Sequence, residues 1–384
     1  MAALRRHFSI YHWATNRPLR GNGKQILDGA LPYRDVYEMK PPLLLYSYAA
    51  LVALFGYSQE GLHMAAMFLT FWNAAWSMAI GMRFFGRFWI LARLGYVLLA
   101  VNPFACAILP NPELVLMGFG FTGFVLFYAV GASRRGGTFR LDDPEGNGSC
   151  MPADFYWLAE PWSKQSGSLF SGVPAIQLAL AFWQQKPLRW RLLLRRGAWL
   201  AAGVATPVAT CLLLMRALGV WDEFWFWNVQ YVQIYSSSLK RDLWALAFTS
   251  NFNLLTKNFV LYWVLGAAGL LALGTPVLNG RKRLILLSLA IFSFAAVAPG
   301  RRFYGHYWLQ FLPVLALAMG ALFYHLGKGL AVLFRRLNMQ PVVAVAAAVI
   351  LLLPVVRQPH LVQGDSHRLL RPCRRAIHLS KIKC

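Results

Sequence analysis

Acidic residues are scarce. The 384-residue sequence has 14 Asp and Glu against 38 Lys and Arg, for a formal net charge of +24. Charged residues of both signs make up only 14% of it, while 58% is hydrophobic. So little polar material cannot cover a soluble globule of this size, and with a mean hydropathy of +0.46 the chain reads as an integral membrane protein. Cysteine is also rare. Of the five, Cys106 and Cys211 lie in apolar runs, Cys150 in a polar loop, and Cys373 and Cys384 in a basic tail. With no CxxC or Cys/His spacing, a disulfide framework and a structural zinc site are excluded. The opening stretch "MAALRRHFSIYHWATNRPLRGNGK" has no apolar core of signal-peptide length, so neither a cleavable signal nor a first anchor helix is expected. Long basic stripes are missing as well. The Lys and Arg residues fall in short clusters between apolar runs, which speaks for cytoplasmic loops and against nucleic acid as a partner.

What is present is a series of apolar runs near the ~20 residues that cross a bilayer. They lie at about 62–82, 88–109, 114–131, 168–184, 197–216, 254–275, 284–299, 308–327 and 340–356, so about nine spans are expected in one all-α, polytopic helical bundle. Arg83 and Arg87, Arg134 and Arg135, the five basic residues from Lys186 to Arg196, Arg281 to Arg283, and Lys328 to Arg336 mark loops expected on the cytoplasmic side. "GYSQEG", "LPNPEL" and residues 217–253 carry little positive charge and are expected on the outer side. One crossing is missing from this alternation, because 136–163 is polar and rich in Gly and Pro and cannot span a bilayer. The expected organisation is an outer-face segment over 1–61, a transmembrane domain over 62–356 and a basic tail over 357–384.

The run from Pro41 to Phe55 is too short to cross, ~15 residues or about 22 Å as a helix against a ~30 Å core. Parity of the loops makes it a helix lying at the outer interface, started by Pro41 and Pro42, with Tyr46, Tyr48 and Tyr57 at headgroup level. Directly before it stand Arg34, Asp35, Glu38 and Lys40. Spacing alone fits a solvated ion-pair cluster or a site in which carboxylates handle a proton while Lys40 holds an anionic headgroup. Glu113, in "PNPEL", is either a helix N-terminal acid or a group facing a cavity. Arg301 and Arg302, in "APGRRFYGHYWLQFLP", lie on the outer side against the charge rule, and with His306 suit a phosphate or pyrophosphate. Lys164, in "WSKQSGSLF", offers a second phosphate contact or a snorkelling stem. "VWDEFWFWNVQYVQIY", 220–235, reads as one or two amphipathic interfacial helices. Asn147-Gly-Ser149 is a formal sequon.

In order and spacing, "ILDGALPYRDVYEMKPPLLLYSYAALVALFG", "NPELVLM", "SKQSGSLF" and "GRRFYGHYWLQFLPVLAL" resemble bacterial membrane glycosyltransferases of the GT-C type. The resemblance runs over about 25–325, toward the branch of lipopolysaccharide-core galacturonosyltransferases, lipid A aminoarabinose transferases and protein O-mannosyltransferases. It implies a multi-pass protein of the bacterial inner membrane with interfacial helices on the outer face. The implied reaction moves a sugar from a polyprenyl-phosphate donor to a lipid or glycan acceptor on the periplasmic side. The catalytic carboxylates would then come from Glu38, Asp35 and Glu113. Lys40, Arg34, Lys164, Arg301, Arg302 and His306 would form the donor-phosphate set. No residue is assigned to a metal, although the carboxylates and His306 are compatible with a divalent ion. Two alternatives stay open, a lipid-linked-sugar flippase and an inactive remnant. The chain departs from the family pattern in three places. The family's first-loop Asp has no counterpart in "WATNRPLRGNGKQ", 136–163 replaces a helix, and the tail is short and basic. A shifted or truncated reading frame is the expectation that accounts for all three.

Overall fold

A computed structural model describes residues 21–100, 102, 105, 107, 110–132, 164–183, 190–257, 259–334 and 339–357. The expectations for the extreme N-terminus, for 136–163 with its sequon and for the tail beyond 357 lie outside the described residues. Within them the chain is helical, apart from an isolated bridge between Pro32 and Val36.

Helix α1 (Pro42–Phe55) is followed by α2 (Gln59–Phe85), α3 (Trp89–Ala100) and α4 (Pro112–Ala132). Pro at the first position of α1 presets the helical φ and loses no needed donor. Ser58 caps α2 by accepting the Gly61 N–H at 2.9 Å. A 3-10 turn (Gln165–Ser171) leads into α5 (Gly172–Trp183), then α6 (Trp190–Ala217). Next comes one continuous helical stretch outside the main packing core: α7 (Trp221–Trp225), a π-turn (Phe226–Gln230) and α8 (Tyr231–Ser237). The last helices are α9 (Leu243–Thr256), α10 (Val260–Ala272), α11 (Gly280–Val297), α12 (Leu312–Leu333), entered through a 3-10 turn (Gly305–Gln310), and α13 (Met339–Arg357).

Helix α12 is the axis. It packs on α10, α3, α13, α2 and α11, and the run Leu312 to Ala321 is buried on every side, the mark of a core helix with no polar face. Small residues let the backbones close up. Gly269 of α10 lies directly on the Ala318 carbonyl and Gly320 on Ala92. Basic residues close helix C-termini at one end of the bundle: Lys282 donates to the Arg83 carbonyl at 2.9 Å, and Arg283 to those of Gly274 and Thr275 at 3.4 and 3.3 Å.

Several expectations are corrected. The apolar run at 254–275 is no straight helix, since α9 and α10 meet at 107°. In the run at 88–109, α3 ends at Ala100, and the described residues beyond it, 102, 105 and 107, are not helical. Among the described residues α12 alone is a single unbroken helix long and apolar enough to cross a membrane, and the bent α9–α10 pair passes the same test taken together. Tyr48, expected at headgroup level, is buried, and its hydroxyl donates to the Pro110 carbonyl.

Replacing Gly269 with Val puts a side chain into the Ala318 backbone. The expected loss is about 1–3 kcal/mol, read as a lower melting temperature in detergent, whereas Gly197→Ala, which meets nothing, is expected to be neutral or slightly stabilising.

Candidate functional site

The segment before α1 is a chain of tight turns. Tyr33 adopts a left-handed φ of 69° and its N–H donates to the Val36 carbonyl at 2.9 Å. Asp35 accepts the Leu31 N–H at 2.8 Å, so its carboxylate caps this turn. The Tyr33 ring is fully buried and its hydroxyl donates to the Lys40 carbonyl at 2.9 Å. From the other side Gln165 donates to the Met39 carbonyl at 2.8 Å. Two side chains from distant parts of the sequence therefore fix the backbone on which Glu38 and Lys40 stand. Glu38 accepts the Met39 N–H at 3.0 Å, and its ion pair with Lys40 is loose, at 3.4 Å.

Beneath this backbone lies a tighter pair. Glu113, in the first turn of α4, has a side chain 1% exposed and accepts from the Lys164 ammonium at 2.5 Å. The helix N-terminus favours the same ionised carboxylate. Its second oxygen is buried and has no hydrogen-bond partner. Lys164 also sits 4.0 Å over the Tyr307 ring, a cation–π contact that strengthens out of water. Burial pulls the Lys164 ammonium down, and the Glu113 charge opposes that pull. Lys164 is thus no snorkelling side chain but half of a buried pair.

His306 packs edge-on against Tyr307 at 4.8 Å and parallel to Tyr304 at 5.8 Å. It keeps some accessible surface, yet protein atoms surround the ring, and this burial lowers its pKa despite the pull of Glu113. Its charge is coupled to Glu113, Lys164 and Lys40. Ser166 and Gln310, both buried, hydrogen-bond at 3.1 Å and tie the Lys164 turn to the His306 turn.

Five of the nine predicted site residues, Glu38, Lys40, Glu113, Lys164 and His306, therefore share one electrostatic cluster. The other four make their contacts elsewhere. Asp35 is the turn cap already described. Arg34 pairs with Glu223 of α7 at 2.9 Å and donates to the Gly219 carbonyl, instead of pairing with its near neighbours Asp35 or Glu38. Arg301, at a left-handed φ of 53°, lies 3.5 Å over the Trp244 ring, on the wall of a cavity of about 400 Å³ shared with Ser236, Ser237, Ala295, Ala298, Pro299 and Gly300. Arg302 donates to Ser238 at 2.7 Å and to the Tyr304 hydroxyl at 3.4 Å, and lies 4.5 Å over the Tyr235 ring. Tyr304 and Tyr307 bridge it to His306. Sequence reasoning missed Tyr33 and Tyr307, although both stand inside the quoted motifs.

No family model and no curated protein matches this sequence. The structure is similar to the crystal structure of ArnT from Cupriavidus metallidurans bound to undecaprenyl phosphate, with a TM-score of 0.55 and 17% identity over 92% of this chain and 68% of that one. The chain shares the helical fold of that structure. Among the described residues, no group of three or more His, Cys, Asp or Glu side chains could hold a metal ion.

Breaking the buried pair from either side strands a charge. Glu113→Gln and Lys164→Met are each expected to lower stability by about 3–5 kcal/mol, while Glu113→Leu combined with Lys164→Met recovers most of the loss; thermal unfolding of the four proteins checks this. His306 gives a pH signature. Because burial depresses its pKa in the fold, the unfolded chain takes up this proton first as the pH falls. The stability associated with the neutral ring is complete above about pH 6.5 and is lost as the pH drops below it toward the folded-state value. His306→Gln is expected to flatten the melting-temperature profile between about pH 7 and 5.

Proposed function

We propose that this chain is a multi-pass membrane glycosyltransferase that takes a sugar from a polyprenyl-phosphate donor and passes it to a lipid or glycan acceptor on the outer face of the bacterial inner membrane. The observation that carries this reading is the meeting of Glu38, Lys40, Glu113, Lys164 and His306, from four separated motifs, in one cluster within an ArnT-like fold. The ArnT crystal was bound to undecaprenyl phosphate, and Lys40 is the cation of this cluster held least tightly, so it is the group assigned to a donor phosphate.

The two ion pairs divide the work. Lys164 and Glu113 neutralise each other at 2.5 Å out of water, a fixed internal element. Lys40 and Glu38 stand 3.4 Å apart with part of the lysine exposed, a pair that an incoming anion can open. A donor phosphate at the Lys40 ammonium would release Glu38 from its partner. The freed carboxylate accepts the proton of the acceptor hydroxyl as its oxygen bonds to the anomeric carbon. The bond from that carbon to the phosphate oxygen breaks, its electron pair stays on the phosphate, and Lys40 stabilises the charge. In-line attack inverts the anomeric centre. Glu38 thus takes the role that the family's first-loop Asp would fill. Arg301 and Arg302 stand farther along the outer-face motif, and we assign them to the lipid-phosphate side of the same site.

Transfer from undecaprenyl-phosphate sugars in membrane vesicles tests the assignment. Lys40→Ala and Arg301→Ala are expected to lower turnover at least tenfold, and Glu38→Gln by about 10²-fold or more. Unchanged turnover in the Lys40 and Arg301 variants would refute it. Lipid binding without transfer from any donor would make the chain a lipid-phosphate binder, and movement of the lipid across the bilayer without transfer would make it a flippase.

A further inference from the structure

Arg302 stands between two residues with a left-handed backbone, Arg301 at a φ of 53° and Phe303 at a φ of 50°. Neither is glycine, so both conformations are strained. Strain of this kind persists only where the surroundings impose it, and it gathers at functional sites. Two side chains impose it here: Asn251 of α9 donates to the Arg302 carbonyl at 3.2 Å, and the Trp308 indole donates to the Phe303 carbonyl at 3.3 Å.

The charge of Arg302 is handled differently from that of the other basic residues of the site. Arg34 pairs with Glu223, Lys40 with Glu38 and Lys164 with Glu113. Among the described residues Arg302 makes no ion pair. Its guanidinium is held by neutral groups instead, the hydroxyls of Ser238 and Tyr304 and the face of the Tyr235 ring. A guanidinium oriented by hydroxyls and an aromatic face keeps its full charge for an anion from outside. Arg302 is part-exposed, and its neighbours Gly300 and Arg301 line the cavity of about 400 Å³.

Tyr235 of α8 is the residue on which these contacts converge. Its ring lies under the guanidinium and beside Gly300, and its carbonyl accepts the Ser238 hydroxyl at 2.8 Å. Its own hydroxyl is hydrogen-bonded to that of Tyr307, the ring beneath Lys164. The same helical stretch reaches the first loop at its other end, where Glu223 meets Arg34 and Trp227 packs on Tyr37 at 5.7 Å. One surface helix thus touches both sides of the proposed donor site. We propose that Tyr235 is a positioning residue for the transfer: with Ser238 seated on its carbonyl, it fixes the Arg302 fork in the orientation that binds the phosphate of the lipid donor. This rests on the assignment of Arg302 to that phosphate. Tyr235 itself touches neither substrate and acts through Arg302.

The test is a double-mutant cycle read as the affinity of the full chain, in nanodiscs, for undecaprenyl phosphate. Arg302→Gln is expected to weaken binding at least about tenfold and Tyr235→Leu at least about fivefold. Tyr235→Phe, which keeps the ring face, should stay within about twofold of wild type. Tyr235→Leu combined with Arg302→Gln should bind no more weakly than Arg302→Gln alone, because the tyrosine has nothing left to position. Losses that add in the double variant, no loss in Tyr235→Leu, or a Tyr235→Phe protein as weak as Tyr235→Leu each overturn the inference. Should Tyr235→Leu fail to fold, Ser238→Ala takes its place in the cycle, since it removes only an exposed hydroxyl from the fork; a loss of at least about threefold that vanishes in the Arg302→Gln background is expected, and unchanged affinity overturns the inference. Binding that falls in Lys40→Ala but is untouched in Arg302→Gln would refute this inference alone. A wild-type chain that does not bind undecaprenyl phosphate would refute the donor reading and the inference with it.

Discussion

The ion pair between Glu113 and Lys164 joins two pieces of chain about fifty residues apart at a place where both side chains are buried. A buried pair of this kind adds little net stability against an apolar alternative, but each half becomes a liability without the other. That asymmetry makes it a positional constraint. The start of α4, the turn before α5 and, through Ser166 and Gln310, the turn before α12 must come together for either charge to be tolerated. Tyr307 lies under the ammonium and His306 beside it. Gln165, next to Lys164, then reaches the carbonyl of Met39. The first-loop residues are thus placed by a network that begins at one buried charge pair.

Above this network the electrostatics change character. Lys164 is saturated, with a carboxylate at contact distance and an aromatic face below it. Lys40 has a distant carboxylate and partial exposure. In a low dielectric the first pair is locked and the second is free to exchange partners. Under the proposed function these two residues, one of each sign, are the ones left for chemistry.

Much of this was legible in the sequence where a physical rule acts locally. Length alone identified Pro41 to Phe55 as too short to cross, and α1 has those bounds to within a residue. The motifs around Glu38, Glu113, Lys164 and His306 were visible as charge beside apolar runs, and their types fit a cluster. Partners were not legible, because pairing depends on tertiary approach: Arg34 beside Asp35 and Glu38 gives no sign that it bonds Glu223, 189 residues on. The bend in the run at 254–275 falls where the polar residues Thr256 and Lys257 interrupt the apolar sequence between α9 and α10, a signal that a count of run length passes over. Tyr48 shows the same limit. A tyrosine on a short interfacial helix suits headgroups, but the approach of Pro110 gives its hydroxyl a partner inside the protein.

Under the proposed function, the segment carrying Glu38 and Lys40 forms a lipid-phosphate site at the outer face. The measurement that tests this most directly is the thiol labelling of Met39→Cys, with the five native cysteines replaced, by a membrane-impermeant reagent applied to spheroplasts. Labelling from outside that falls when undecaprenyl phosphate is added is the expected result. Labelling only after the membrane is permeabilised, or labelling that the lipid leaves unchanged, would contradict it.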